Sequence, residues 1–173
     1  IRGKHISRSI DSLVDEATQL AKDGVKELLI IAQDSTFYGI DLYGKRMLPE
    51  LLDKLSEIDG IEWIRIHYAY PSAFPVDLIN TIKNNPKICK YIDIPFQHIS
   101  DKMLDVMRRG TSKQETIELV KRLKSEIPNI AIRTTFLVGH PCETEKDFNE
   151  LIEFVKESRF DRAGVFTYSE EEG

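Results

Sequence analysis

Cysteine is scarce in this chain of 173 residues, and apolar runs of membrane-spanning length are missing. Cys89 and Cys142 stand far apart, which excludes a disulfide framework and predicts a reducing, cytoplasmic location. The two cysteines and four histidines show no metal-ligand spacing, so we expect no metal site in this chain. The N-terminal letters IRGKH do not form a secretory signal, and we expect no membrane association.

Excess positive charge and several common catalytic signatures are also lacking. The net charge of −5 leaves no global basic footprint for nucleic acid, which favours a small-molecule or protein partner. Paired catalytic carboxylates, a Ser-His-Asp order and a P-loop are absent from the sequence.

The sequence does have a regular alternation of helical and strand patterns. Apolar residues at helical spacing begin at Ile10 and end at Gly24, and Gly60 marks a second change from helix to strand. The last helix carries Thr144 and Asp147 at capping-box spacing. The strand patterns are VKELLIIA, IEWIRIHYAY, KYIDIPFQH, NIAIRTTFLVG and RAGVFTYS. Five strands separated by helices and short links predict repeated βαβ units and a parallel sheet within one domain.

These strands are apolar on only one face. The polar positions of the other face are Gln33, Arg65, His67, Asp93, Gln97, Arg133 and Thr135. A one-sided antiparallel sheet would show the same pattern, but the intervening helices disfavour it. We therefore predict an α/β fold, a partial TIM-like (β/α) barrel with five parallel strands and a polar inner face. Its site is expected at the C-terminal strand ends, near Gln33, His67, Gln97, Gly139 and Tyr168.

Several residues near these strand ends have both a functional and a structural interpretation. Gly139 and Pro141 end the segment IRTTFLVGHP, where glycine lets backbone approach a ligand, although the pair also punctuates ordinary turns. Gln97 can both donate and accept a hydrogen bond, so it suits a ribose hydroxyl or an amide partner. Arg133 needs an anionic partner, which is either Asp93 or a ligand. The substrate-facing candidates are Asp34, Tyr38, His98, Arg108 and Arg109, with a polar loop, a satisfied histidine and a solvated helix end as the alternatives.

Taken together, seven segments resemble the radical S-adenosylmethionine (radical SAM) methylthiotransferases. They are RGKHISR, IIAQDSTFYG, IHYAYP, IDIPFQHIS, MLDVMRRG, IRTTFLVGHPCETEKDF and FTYSEEEG, in the family's order and over essentially the whole chain. PFQHIS and AQDSTFYG favour the RimO-type branch, which modifies an aspartate of ribosomal protein S-twelve in the small subunit. The resemblance implies a reductive cleavage of S-adenosyl-L-methionine, hydrogen abstraction from the β-carbon of that aspartate, and insertion of a methylthio group.

The resemblance also implies roles for the residues of the inner face. It sets Gln33 near the methionine amino group, Gln97 near the ribose and Arg133 near the methionine carboxylate of S-adenosyl-L-methionine. It sets residues 139–144 and 165–168 beside the adenine. Within these ranges the expected cofactor-binding residues are Gly139, Pro141, Phe166 and Tyr168, and His67 is expected to bind the cofactor as well. Cys142 stands where the family usually has glycine, which is harmless only if its φ is negative.

By the same resemblance, residues 1–173 form a partial radical SAM core. The cysteines of the [4Fe–4S] cluster, the first barrel strand and the N-terminal methylthiotransferase domain are expected upstream of Ile1, and a TRAM domain downstream. We therefore expect this chain alone to bind neither cluster and to be inactive, and the parent protein to need an electron donor. An unpaired strand over residues 28–32 predicts self-association through the open barrel edge.

Two other functions remain open from the sequence. One is a tRNA methylthiotransferase of the same family, and the other is a barrel that binds a nucleotide without chemistry. An aldolase-like barrel is disfavoured because no strand ends in a lysine on the inner face.

Overall fold

A computed structural model describes residues 3–170. Within this range the strands are β1 (Glu27–Ile30), β2 (Trp63–Ile66), β3 (Ile88–Asp93), β4 (Ala131–Val138) and β5 (Arg162–Thr167). The α-helices are α1 (Ile10–Lys22), α2 (Ile40–Tyr43), α3 (Leu48–Ser56), α4 (Val76–Asn84), α5 (Asp101–Val106), α6 (Lys113–Glu126) and α7 (Glu145–Ser158), and a 3-10 helix covers Ser35–Phe37. Arg2 of the RGKHISR segment and the last three residues of FTYSEEEG lie outside the described residues.

The five strands form one parallel sheet in the order β1-β2-β3-β4-β5. At least one helix lies between each pair of consecutive strands, as parallel connections require. This arrangement confirms the predicted α/β class with five parallel strands. It also excludes the one-sided antiparallel sheet that the polar face alone allowed.

Strands β1 to β4 bury one face against the helices, whereas every residue of β5 is exposed. Ile64, Ile66, Ile92 and Ile132 have no exposed side-chain surface, and Phe136 is 1% exposed. They share a core with apolar residues of the helices, among them Leu51, Leu78, Ile79, Val120 and Leu151. The opposite face carries the polar residues predicted there. The alternation in the sequence therefore distinguishes the two sides of β1 to β4 correctly.

The ends of the long helices follow the predicted signals. Helix α1 ends before Gly24, which adopts a left-handed φ of +93°, and Gly60 has a φ of +91° before β2. At the start of α7, the Thr144 side chain accepts a hydrogen bond from the Asp147 N–H, and the Asp147 carboxylate accepts one from the Thr144 N–H. The capping box is confirmed.

The segment after β1 has more structure than the polar loop predicted from the sequence. It contains the 3-10 helix and α2, which are three and four residues long. Elements this short do not complete enough turns to produce a periodic apolar pattern. Separately, no helix within residues 3–170 has the length and apolar content to cross a bilayer.

Candidate functional site

The residues expected to bind a cofactor lie at one edge of the sheet. Gln33 follows β1, His67 follows β2, Gln97 follows β3, Gly139 follows β4 and Tyr168 follows β5. Because the strands are parallel, their C-terminal ends all meet this edge. Phe166 lies within β5 and Pro141 within the loop after β4. The fold thus gathers positions that are spread over more than 130 residues of sequence.

The buried carboxylate of Asp93 lies between His67 and Arg133, two residues expected to bind the cofactor. The Asp93 side chain is 3% exposed, and its Oδ2 lies 3.3 Å from Arg133 Nη1 and 3.8 Å from His67 Nδ1. The negative charge of Asp93 is the main reason that the pKa of Arg133 is raised. The guanidinium has five N–H donors and is about half exposed, so it keeps donors for a ligand carboxylate. Asp93 therefore orients Arg133 without using up its capacity to bind.

An aromatic and ionic layer lies below this pair on the inner face. The Tyr91 ring centroid is 5.6 Å from that of His67 and 5.1 Å from Arg65 Cζ. Arg65 Nε donates to Glu27 Oε1 over 2.7 Å, and this hydrogen bond is the main cause of the raised pKa of Arg65. Tyr91 and Glu27 were not predicted as site residues. The period of two counted back from Asp93 would have identified Tyr91.

The backbone at Gln97 is held in an unusual conformation. Its φ is +70°, a left-handed value that costs free energy for a residue with a Cβ. Its N–H donates to the carbonyl of Thr135 over 2.9 Å, and its carbonyl accepts from the N–H of Leu137 over 2.8 Å. Pairing with β4 therefore fixes Gln97 at the end of the sheet.

The loop between β4 and α7 begins at Gly139, where the left-handed backbone conformation favours glycine. Gly139 has a φ of +77°, and an added Cβ would meet no protein atom within 4 Å. The surrounding space is therefore open to a ligand on the side where a side chain would stand. The neighbouring His140 ring centroid is 5.0 Å from that of Tyr168, and the Tyr168 N–H donates to the carbonyl of Val138 over 2.8 Å. Loop and last strand thus form one continuous rim.

Cys142 fits this loop without strain. The φ of Cys142 is not positive, so its backbone tolerates a Cβ where the family usually has glycine. The side chain is exposed, and the Cys142 N–H donates to His140 Nδ1 over 3.2 Å.

Two of the substrate-facing candidates, Tyr38 and His98, are buried in the structure. Tyr38 is 8% exposed, its hydroxyl donates to the Arg8 carbonyl over 2.8 Å, and burial raises its pKa to about 12. His98 has no exposed surface, and its Nε2 lies 3.2 Å from Glu143 Oε1. Tyr38 anchors the N-terminal segment, and His98 belongs to the support of the site.

The other three substrate-facing candidates differ in exposure and in the contacts that they already make. The Asp34 carboxylate accepts from the N–H of Thr36 over 2.9 Å and so caps the 3-10 helix. The Arg109 guanidinium lies 4.5 Å from the ring centroid of Tyr70, and burial lowers its pKa. Only Arg108 of the basic pair is exposed. Asp34 and Arg109 therefore already have structural contacts, and Arg108 is the group available to a partner.

The described residues do not fit an iron–sulfur cluster. Within residues 3–170, no group of three or more His, Cys, Asp or Glu side chains could hold a metal ion. Cys89 lies within β3, where burial raises the pKa of its thiol, and Cys142 is exposed in the loop after β4. Separate single thiols cannot supply the several thiolates that a cluster needs.

Comparison with protein families decides the class. The family model of the radical SAM superfamily matches residues 1–155. The chain belongs to the radical SAM superfamily. The five-stranded parallel sheet is thus the radical SAM fold, as the sequence segments predicted.

Curated relatives extend the match over the whole chain. The ribosomal protein uS12 methylthiotransferase RimO of Bacteroides thetaiotaomicron is 56% identical over 173 residues, which are 100% of this chain and 40% of the relative. The protein of the same name from Flavobacterium johnsoniae is 58% identical over 172 residues, which are 99% of this chain and 39% of the relative. The chain therefore spans about 40% of the length of these relatives.

Solved structures agree on the fold. The radical S-adenosylmethionine methyltransferase TsrM from Kitasatospora setae has a TM-score of 0.71 at 18% identity, covering 92% of this chain and 31% of TsrM. Coproporphyrinogen III oxidase HemN from Escherichia coli has a TM-score of 0.65 at 16% identity, covering 96% of this chain and 39% of HemN. At these identities the likeness extends to the fold alone.

Proposed function

We propose that this chain is the core of a radical SAM methylthiotransferase that adds a methylthio group to the β-carbon of an aspartate in ribosomal protein uS12. The observation that carries the proposal is the 56% identity, without a gap in coverage, to a uS12 methylthiotransferase. The polar edge of the sheet supports this proposal, because its side chains offer the hydrogen-bond donors that a nucleoside and an amino-acid carboxylate require.

The residues of this edge would divide the binding of S-adenosyl-L-methionine among them. Arg133 would bind the methionine carboxylate, Gln33 the methionine amino group and Gln97 the ribose. The loop after Gly139 and the β5 segment from Phe166 to Tyr168 would hold the adenine, with His67 and Pro141 at the margins. The open space beside Gly139 supports this assignment. When bound, S-adenosyl-L-methionine supplies the adenosyl group needed for hydrogen abstraction.

The remaining parts of the proposal concern the iron and the partners. Since the described residues do not fit a cluster, we propose that this chain alone is inactive and that the parent protein holds its [4Fe–4S] clusters elsewhere. The parent would require an electron donor and would act in the cytoplasm, where its ribosomal substrate is made. Arg108 is the exposed candidate for a contact with uS12. The tRNA alternative is not favoured, because the relatives at 56–58% identity carry the name of uS12 enzymes.

Open sheet edges are the basis of one more proposal. Within residues 3–170, β1 pairs only with β2, and β5 pairs only with β4. An edge strand presents unpaired backbone groups to other chains. We propose that the 173-residue chain self-associates through these edges.

The test of the proposed function uses the full-length gene product, reconstituted without oxygen. We expect bound iron, formation of 5′-deoxyadenosine under reduction, and a methylthio group on one aspartate of added uS12, detected by mass spectrometry. An Arg133→Gln variant should retain iron but lose 5′-deoxyadenosine formation. Modification of tRNA instead of uS12 would support the alternative substrate. Absence of both iron and cleavage would leave only a nucleotide-binding barrel.

A further inference from the structure

A buried histidine and a buried glutamate join the two loops that flank the nucleoside end of the site. His98 follows Gln97 after β3, and Glu143 lies just before α7. Their side chains are 0% and 7% exposed, and Nε2 of the histidine lies 3.2 Å from Oε1 of the glutamate. The second carboxylate oxygen of Glu143 accepts a hydrogen bond from the N–H of Gly139. One carboxylate therefore connects the end of β3 to the start of the loop after β4.

The direction of the histidine hydrogen bond follows from its other nitrogen. The Ser100 N–H donates to His98 Nδ1 over 3.1 Å, so Nδ1 must carry the lone pair. The ring proton therefore lies on Nε2, which donates to Glu143. A hydrogen bond from a neutral donor to a buried carboxylate is of the stronger, charge-assisted kind. Both carboxylate oxygens thus have a donor, as a buried charge requires.

The positions that this pair connects are both conformationally demanding. Gln97 and Gly139 have φ values of +70° and +77°, and each lies where a strand turns into a loop. The Glu143 N–H also donates to the carbonyl of His140 over 2.8 Å, which closes the loop on itself. Since Gly139 borders the open space described above, a change in this loop changes the wall of the nucleoside site.

We propose that His98 and Glu143 are positioning residues for S-adenosyl-L-methionine, setting the loop of residues 139–143 against the end of β3. This inference rests on the proposed function. Neither side chain reaches the ligand, because both are buried. Their effect on binding is exerted through Gly139, whose N–H the carboxylate holds in place.

Two substitutions at His98 separate the hydrogen bonds of its ring. In His98→Asn, the amide oxygen replaces Nδ1 as acceptor for Ser100, but the donor to Glu143 is lost. In His98→Gln, the amide nitrogen replaces Nε2 as donor to Glu143, but the acceptor is lost. Glu143→Gln presents an NH₂ group to one of two existing donors, so one contact breaks. Glu145→Gln, at an exposed position of the same helix start, is the matched control.

The experiment measures dissociation constants for the reconstituted full-length protein. The probes are S-adenosyl-L-methionine and 5′-methylthioadenosine, which keeps the nucleoside but lacks the methionine carboxylate. We expect His98→Asn and Glu143→Gln to weaken both probes about tenfold, the effect of one charge-assisted hydrogen bond. His98→Gln and Glu145→Gln should bind close to the wild type. Arg133→Gln should weaken S-adenosyl-L-methionine alone.

Two outcomes would overturn the inference while leaving the proposed function intact. One is wild-type affinity for both probes in His98→Asn and Glu143→Gln. The other is an equal loss of affinity and of thermal stability in both His98 variants, which would make the histidine a packing residue only. If the unaltered holoprotein binds neither probe, the proposed function itself fails, and the inference fails with it.

Discussion

Asp147 accepts hydrogen bonds from two segments that are distant in sequence. Its carboxylate accepts from the Ser100 hydroxyl and from the N–H of Thr144, and it lies 3.2 Å from Lys102 Nζ. The hydrogen bond from Ser100 is the main cause of a pKa well below the usual value. We expect Asp147→Asn to lower the free energy of unfolding at pH 7 by about 1–3 kcal/mol, since the buried Ser100 hydroxyl loses its charged acceptor. Urea unfolding measures this.

The pH dependence of this effect has a definite sign. A carboxyl group whose pKa is lowered in the folded state stabilises the protein fully above its unfolded value, near 3.8. That stability is lost as the pH falls below this value. The stability difference between the wild type and Asp147→Asn should therefore shrink from neutral to acid pH. A difference that stays constant down to the acid range would contradict the assignment.

From the Arg133–Asp93 ion pair we expect a second substitution at Asp93 to restore folding stability to Arg133→Gln without restoring its affinity for S-adenosyl-L-methionine. Arg133→Gln leaves the Asp93 carboxylate buried without its nearest cation, so we expect a stability loss of about 3 kcal/mol or less. Adding Asp93→Asn removes the buried charge and should recover most of that stability. Affinity for S-adenosyl-L-methionine should stay low in both variants, because the guanidinium is gone. Recovered affinity in the double variant would show that Arg133 does not bind the ligand.

At the level of elements, periodicity predicted the strands and the long helices well. Helices α1, α6 and α7 form in the segments predicted to be helical, and β1 to β4 turn their apolar face to the core as predicted, whereas β5 is exposed throughout. The 3-10 helix and α2 were missed, because three or four residues do not establish a period. Strand β1 is also shorter than its apolar run, because Ile31 and Ala32 lie beyond the residues that pair with β2.

The loop between β4 and α7 permits a matched glycine test. Gly139→Ala places a Cβ on left-handed backbone, which costs about 1–2 kcal/mol. Gly24, which follows α1 with a φ of +93°, also has no protein atom within 4 Å of an added Cβ. We expect Gly24→Ala and Gly139→Ala to lose similar stability in thermal unfolding. Only Gly139→Ala should weaken S-adenosyl-L-methionine binding, and equal binding in both would argue against a ligand beside Gly139.

At the level of the whole molecule, the sequence predicted which residues share a sheet edge but not which are buried or paired. His98 and Glu143 are 45 positions apart, and Arg133 and Asp93 are 40 apart. The alternation of residues along a strand assigns each side chain to one face of the sheet. How deeply that side chain is buried, and which residue it contacts, depends on how distant segments of the chain pack together. Tyr38 and His98 were therefore expected at a surface that they do not reach, and Glu143 was not recognised as a supporting residue.

The open edges of the sheet give the last prediction. Four apolar side chains at the two edges of the sheet are 52–63% exposed. Leu29 lies in β1, Ile31 directly after β1, and Val165 and Phe166 in β5. We expect the 173-residue chain to associate with rising concentration in sedimentation velocity. Charged residues discourage strand pairing, so the double variant Ile31→Lys, Val165→Lys should sediment as a monomer. Val76→Lys, which adds one lysine at a half-exposed helix position away from the strands, should associate like the wild type. A wild-type chain that stays monomeric over the whole concentration range would show that the edge strands do not pair between chains.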